Sequence, residues 1–182
     1  MKVETEQKIL TAALKVFSER GYIGARIKFI ALESGFTEMT IFRIFDTKEN
    51  LFKMVLITNQ ERVLKEFNSV LSNHDYESPN QNLATIIKHL VTLVDQNFEY
   101  VNILIKERKM ISDSVIKRFI SHLTQYLDKL FPETDVDHQI IAFNILSYLY
   151  FIIFDKRLGN TLEDRDKAVE EFIKYIKKNY KP

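Results

Sequence analysis

The sequence has no cysteine, which excludes a disulfide framework, a thiol nucleophile and any thiolate metal site, and which accords with a reducing cytoplasm. It has three prolines and four glycines, three of those glycines within the first 35 residues, so breakers are scarce and the chain reads as helical almost throughout. Net charge is +1, which excludes a broad basic field. No apolar run reaches the roughly 20 residues that a membrane span needs; the longest, 140–154, is interrupted by Asn144 and Ser147 and predicts a buried helix instead. The N-terminal MKVETEQK carries acids and no apolar run, so a signal peptide is not expected and a cytoplasmic location is. No glycine-rich phosphate loop occurs, and His74, His89, His122 and His138 show no metal-ligand spacing. Without a paired nucleophile and base, the expectation is a non-enzyme without cofactor or metal. His89 and His122 read as surface or satisfied core histidines.

What is present is concentrated in residues 26–51, RIKFIALESGFTEMTIFRIFDTKENL. Ile27, Ile30 and Ala31 share one helical face, and Ala31 is small where a second helix must cross closely. Gly35 ends that helix, because a residue without Cβ can take the left-handed conformation of a tight C-terminus. Phe36 plugs the turn, and Thr37 is a good N-cap for a second short helix. Its inward face is Ile41, Ile44 and Phe45, which leaves Glu38, Met39, Phe42 and Arg43 outward as the expected DNA-reading surface. A third helix starts at Asp46-Thr47 with Lys48 in its first turn. A cation there is unfavourable by roughly 0.3–1 kcal/mol, so an anion is expected to join it; free N–H groups plus an ammonium make a phosphate site.

Residues 9–52 resemble the tetracycline-repressor (TetR) family of bacterial transcription regulators. The match is carried in register by Ile9, Leu10, Ala12, Ala13, Phe17, Gly21 and Tyr22, then by Ile30, Ala31, Gly35, Phe36 and Thr37, and finally by Thr40, Ile41, Phe42, Phe45, Lys48, Glu49 and Leu51. The resemblance implies that Thr40, Phe42 and Lys48 contact phosphates while Glu38, Met39 and Arg43 face base edges, with Arg43 the candidate for reading a guanine. It also implies a palindromic operator, a homodimer formed by the last two helices of each copy, and control by a small molecule. Three positions depart from the family pattern. Ala25 and Arg26 stand where Thr or Ser caps the first motif helix, a loss of about 0.5–2 kcal/mol that a phosphate on Arg26 would offset. Met39 replaces a glycine, and its bulkier side chain must either touch the groove floor, a thymine methyl being the candidate, or hold the helix off. Phe42 replaces a tyrosine and removes a hydroxyl donor.

The whole chain is expected to be all-α with about nine helices: a helix-turn-helix module over residues 1–46, then a larger ligand-binding and dimerisation domain over 47–182. The first helix should run from Thr5 to Arg20, stopped by Gly21. A long fourth helix should run from Lys48 to Leu71, with Phe52, Val55, Leu56, Val63, Phe67 and Leu71 at helical spacing, linking the module to the rest of the chain. After the polar interval 72–82 come helices over 81–96, 98–110 and 113–130, an eighth from Asp135 or Asp137 to Lys156, and a ninth that Thr161 with Asp164 starts and that runs to Asn179. The eighth is apolar nearly all round, which means it is covered on several sides, a second subunit included. Ile145, Leu149 and Ile152 on the eighth and Phe172 and Ile176 on the ninth are the expected interface.

Between the sixth and eighth helices aromatic residues crowd together, and Phe98, Phe119, Leu123, Tyr126, Phe143, Tyr148 and Phe151 are the expected lining of a cavity for a small lipophilic effector. The bland reading of each is a core residue. Asp95, Glu99 and Glu107 could meet a cation and Lys106, Arg108 or Lys109 an anion, although an interrupted charge run is usually a solvated face. Two functions remain: a dimeric, ligand-responsive DNA-binding repressor, or a relative of the same fold that acts through a protein partner. The second draws on Arg26, Met39 and the thin charge excess, nine basic against seven acidic side chains over residues 1–56.

Overall fold

The computed structural model describes residues 2–72, 78–159 and 164–178, which contain nine helices and no strand. These are α1 (Lys2–Gly24), α2 (Ile27–Ser34), α3 (Glu38–Phe45), α4 (Lys48–Ser72), α5 (Pro79–Gln96), α6 (Phe98–Lys106), α7 (Asp113–Leu130), α8 (His138–Arg157) and α9 (Arg165–Lys177). They form two compact units, one of Met1–Val63 with Glu99–Ser112 and one of Leu64–Phe98 with Asp113–Pro182. His74, Thr161 and Asn179 lie outside the described residues.

In the first unit α1, α2 and α3 close around Ile9, Ala13, Phe17, Ile30, Ile41 and Leu51, each at most 1% exposed. Residue 103 of α6 completes this core. The first helix does not stop at Arg20. Gly21 takes φ 67 and ψ 170, a kink after which one further turn runs to Gly24. Glu107 explains why the kink is held: its carboxylate accepts the Tyr22 backbone N–H at 2.8 Å. Asn102 Nδ2 donates to the Ser18 carbonyl and hydroxyl at 3.0 Å each, and Lys106 Nζ donates to the same carbonyl at 3.0 Å. The expected solvated run is therefore partly a set of ties onto the end of α1. The sixth helix is accordingly shorter than 98–110, ending at Lys106 and followed by a turn in which Met110 N–H donates to Glu107.

In the second unit α8 is the central element, packed against α5, α7 and α9. Its length and composition would suffice for a membrane span, yet Ile141, Ala142, Ile145, Leu149, Ile152 and Ile153 are buried in this unit, as in a core helix. Asp137 caps α8 and Asp164 caps α9, each accepting two backbone N–H groups. Tyr148 ties the pair, donating to the Ala168 carbonyl at 3.0 Å and stacking on Phe172 with centroids 3.9 Å apart. Asp95 is also engaged, accepting from Arg157 and Arg165 at 3.1 Å each.

Candidate nucleic-acid interface

The surface begins with the turn between α2 and α3. Gly35 sits at φ 74 and its N–H closes on the Ala31 carbonyl, so α2 ends in the left-handed cap that its sequence position requires. Thr37 then caps α3, its hydroxyl accepting the Thr40 N–H at 3.2 Å and lying 3.0 Å from the Thr40 hydroxyl. Ile41 and Phe45 anchor α3 inward. Glu38, Met39, Phe42 and Arg43 are exposed as their helical phase dictates, Met39 at 81% and Phe42 at 45%. An exposed methionine and phenylalanine on one short helix make a surface suited to apolar contact with a partner. Arg43 extends from it with no hydrogen bond or ion pair among the described residues. Arg26 precedes α2 without a side-chain cap, and its guanidinium is exposed.

The C-terminus of α3 and the start of α4 form the second part. Asp46 adopts φ 64 and its N–H reaches the Phe42 carbonyl at 2.7 Å, so a non-glycine residue makes the tight link between the helices. Thr47 Oγ1 accepts the Asn50 N–H at 3.0 Å, leaving the earlier N–H groups of α4 for another acceptor. Lys48 is held over the ring of Tyr22, 4.4 Å from its centroid. That ring is itself fixed against Phe17 and Phe52. Burial lowers the Lys48 pKa from the usual lysine value, while the Glu107 carboxylate opposes the shift. An ammonium partly stripped of water, beside free helical N–H groups, is a natural phosphate ligand. Tyr22 enters the sequence reading only through the N-terminal pattern and Glu107 only as one of several carboxylates that could meet a cation; nothing local ties Glu107 to this place, which it reaches from another part of the chain.

The other expected residues do not converge on one place. Phe98, Tyr150 and Phe154 stack on one another, and Phe119 sets its edge on Phe67. Leu123 is fully buried, Tyr148 is spent on α9, and Phe143 and Phe151 are surface residues at 52% and 63% exposure. Of the seven, Tyr126 lines an open pocket of about 490 Å³ in the second unit, whose walls are mixed polar and apolar. Of the expected interface residues, Ile145, Leu149, Ile152 and Ile176 are at most 4% exposed within the described unit. Phe172 is half-buried under Tyr148. The exposed apolar stripe of α8 is Ile140, Phe143 and Phe151, and Tyr175 of α9 is exposed as well. Hydrophobicity all round the helix concealed which stripe the protomer itself uses.

A capped pair of short helices joined by a left-handed glycine, with an outward face and a basic anchor beside it, defines the class: a helix-turn-helix protein on an all-α chain. Residues 9–55 match the family described as bacterial regulatory proteins, tetR family. Residues 9–55 are thus a TetR-family N-terminal module. It is 32% identical over 105 residues to the HTH-type transcriptional repressor NicS of Pseudomonas putida, a match covering 57% of this chain and 48% of that protein. The chain thus spans about half the length of that relative. Among solved structures it is similar to AibR in complex with isovaleryl coenzyme A and operator DNA, at TM-score 0.75 and 17% identity over 93% of this chain and 96% of the other. It is likewise similar to FadR of Bacillus subtilis in complex with stearoyl-CoA, at TM-score 0.66 and 14% identity over 92% and 95%. At such identities the likeness is one of fold.

Proposed function

We propose that the chain is a dimeric, cytoplasmic DNA-binding transcriptional regulator, a repressor that leaves a palindromic operator when a small molecule binds its second unit. The observation that carries this reading is the outward face of α3 together with Lys48: exposed Arg43, Met39 and Phe42, and a half-buried lysine at a helix start. On this reading α3 enters the major groove, Arg43 reads a guanine, Met39 touches bases, and Arg26, Thr37, Thr40 and Lys48 hold phosphates. On this reading residues 1–46 read the DNA, residues 47–182 bind the effector and dimerise, and Lys48, at the head of that second segment, adds its phosphate contact from beyond the boundary. Two copies meet through Ile140, Phe143, Phe151 and Tyr175, so that both recognition helices reach successive grooves.

Support for control by an effector comes from α4, a single helix of 25 residues that carries Lys48 at one end and pocket-lining residues at the other. At 1.5 Å per residue it is roughly 37 Å long, and a ligand that shifts its far end moves the phosphate anchor. Coupling of about 1–3 kcal/mol, 5- to 150-fold in affinity, is ordinary for such a device. The effector has an apolar body. The similar repressor and the operator-DNA complex favour this reading over action through a protein partner. A mobility-shift titration with DNA from upstream of the chain's own gene, repeated over a range of salt, tests it: specific binding that weakens steeply with salt supports the reading, and binding indifferent to salt and sequence refutes it.

A further inference from the structure

Within the first unit, the residue that follows α6 reaches the phosphate anchor through one intermediary. Glu107 is rooted in α6, its N–H closing on the carbonyl of fully buried Ile103 at 2.9 Å. Its Oε1 accepts the Tyr22 N–H at 2.8 Å, and a Cβ on Gly21 would lie 2.8 Å from that same oxygen. The glycine and the carboxylate are therefore fitted to each other: the kink leaves the space that Glu107 fills. Tyr22 is in turn the platform of the anchor. Its ring, 6.1 Å from Phe17 and 5.0 Å from Phe52 between centroids, carries the Lys48 ammonium 4.4 Å from its own. No carboxylate pairs with that ammonium among the described residues, so its donors are open to an anion. Glu107, Tyr22 and Lys48 all belong to this one unit.

We infer that Glu107 is a positioning residue for DNA binding: by holding the Tyr22 N–H it keeps the Tyr22 ring where it presents the Lys48 ammonium to a phosphate. An unrestrained lysine samples many rotamers, and a phosphate that captures it must bear the cost of ordering it. A ring beneath the ammonium narrows that set before DNA arrives. What Glu107 supplies is an acceptor at a fixed place. Glutamine can still accept the Tyr22 N–H through its amide oxygen, whereas alanine cannot. The inference rests on the DNA-binding reading above and adds to it a residue that acts through Tyr22.

The test uses full chains carrying Glu107→Ala, Glu107→Gln, Lys48→Ala, and Glu107→Ala combined with Lys48→Ala. Without DNA, the lysine side-chain methylene resonances in an NMR spectrum read the platform, that of Lys48 being the one lost in Lys48→Ala. The Tyr22 ring should shift it upfield in the unaltered chain and in Glu107→Gln, and not in Glu107→Ala. With a duplex from upstream of the chain's own gene, Glu107→Ala should weaken binding roughly 2- to 12-fold, the fold-change for one lysine left to be ordered on binding. Glu107→Gln should bind at least as tightly as the unaltered chain, and the combined variant no more weakly than Lys48→Ala alone, because both changes remove one contact. Should Glu107→Ala not fold, Glu107→Asp, whose carboxylate stops a methylene short of the Tyr22 N–H, gives the same comparison. The positioning role is overturned, with DNA binding intact, if the shift survives Glu107→Ala, if Glu107→Ala binds as the unaltered chain does, or if the combined loss is additive. An unaltered chain that binds no duplex overturns the DNA-binding reading and this inference with it, even where the shift is present.

Discussion

Replacing Phe151 by aspartate should separate the proposed dimer without unfolding the protomer. Phe151 is 63% exposed on α8, on one stripe with Ile140 at 57% and Phe143 at 52%. Phenylalanine carries roughly 150–250 Å² of surface, so about 95–160 Å² of this side chain remains to be covered. At about 25 cal/mol per Å² its burial contributes roughly 2–4 kcal/mol in each copy, and two-fold symmetry counts it twice. Ordering and lost freedom on association offset part of that gain. Aspartate forfeits the contribution and adds an unpaired carboxylate to a dry interface, so dissociation should strengthen by two orders of magnitude or more, on the order of 3 kcal/mol. Size-exclusion chromatography with light scattering at micromolar concentration reads the mass, and circular dichroism should show unchanged helicity. Ile152→Asp is the contrasting variant. Ile152 is 4% exposed inside the second unit, so a charge there should abolish the cooperative thermal transition instead of yielding a folded monomer. The reasoning fails if the unaltered chain is already a monomer, if Phe151→Asp stays a dimer, or if Ile152→Asp is a folded monomer.

Lys48→Ala should weaken binding to all duplexes about equally and flatten the slope of log affinity against log salt by about one unit, as for one lost phosphate contact; an unchanged slope in a mobility-shift titration would refute the phosphate assignment. Arg43→Ala should cost roughly 1–3 kcal/mol at one operator position and relax base preference there, which a set of single-base operator variants measures. Gly21→Ala should lower the urea midpoint by the equivalent of about 1–3 kcal/mol, since φ 67 with ψ 170 suits glycine alone and a Cβ would lie 2.8 Å from the Glu107 carboxylate. A midpoint equal to that of the unaltered chain would contradict the role given to the kink.

The helix-turn-helix is legible in the sequence because every signal in it is local. Gly35, Thr37 and the apolar phases of α2 and α3 act within a few residues of themselves, and all appear where their chemistry requires. Gly21 reads as a stop and is a kink, because the bond that holds it comes from Glu107, 86 positions further along the chain. Lys48 is legible as an anion ligand, while the Tyr22 ring beneath it takes tertiary structure to see. The exposed stripe of α8 is not legible. A helix apolar on every side reports that it is covered, and only packing against α5, α7 and α9 shows which side remains. The aromatic residues mislead for a related reason: Phe98, Tyr150 and Phe154 satisfy one another, and the open pocket lies beside Asn82 and Lys129, whose polarity gives no periodic signal.

Selection of duplexes from a random pool by the unaltered chain, with the mass of the complex formed on the enriched sequence, tests the central claim most directly. Two-fold recognition by α3 predicts enrichment of an inverted repeat whose half-sites lie about one turn apart or a multiple of it, roughly 34 Å per turn, bound by an even number of chains. Failure to enrich any sequence, or enrichment of a lone half-site bound by one chain, would contradict it.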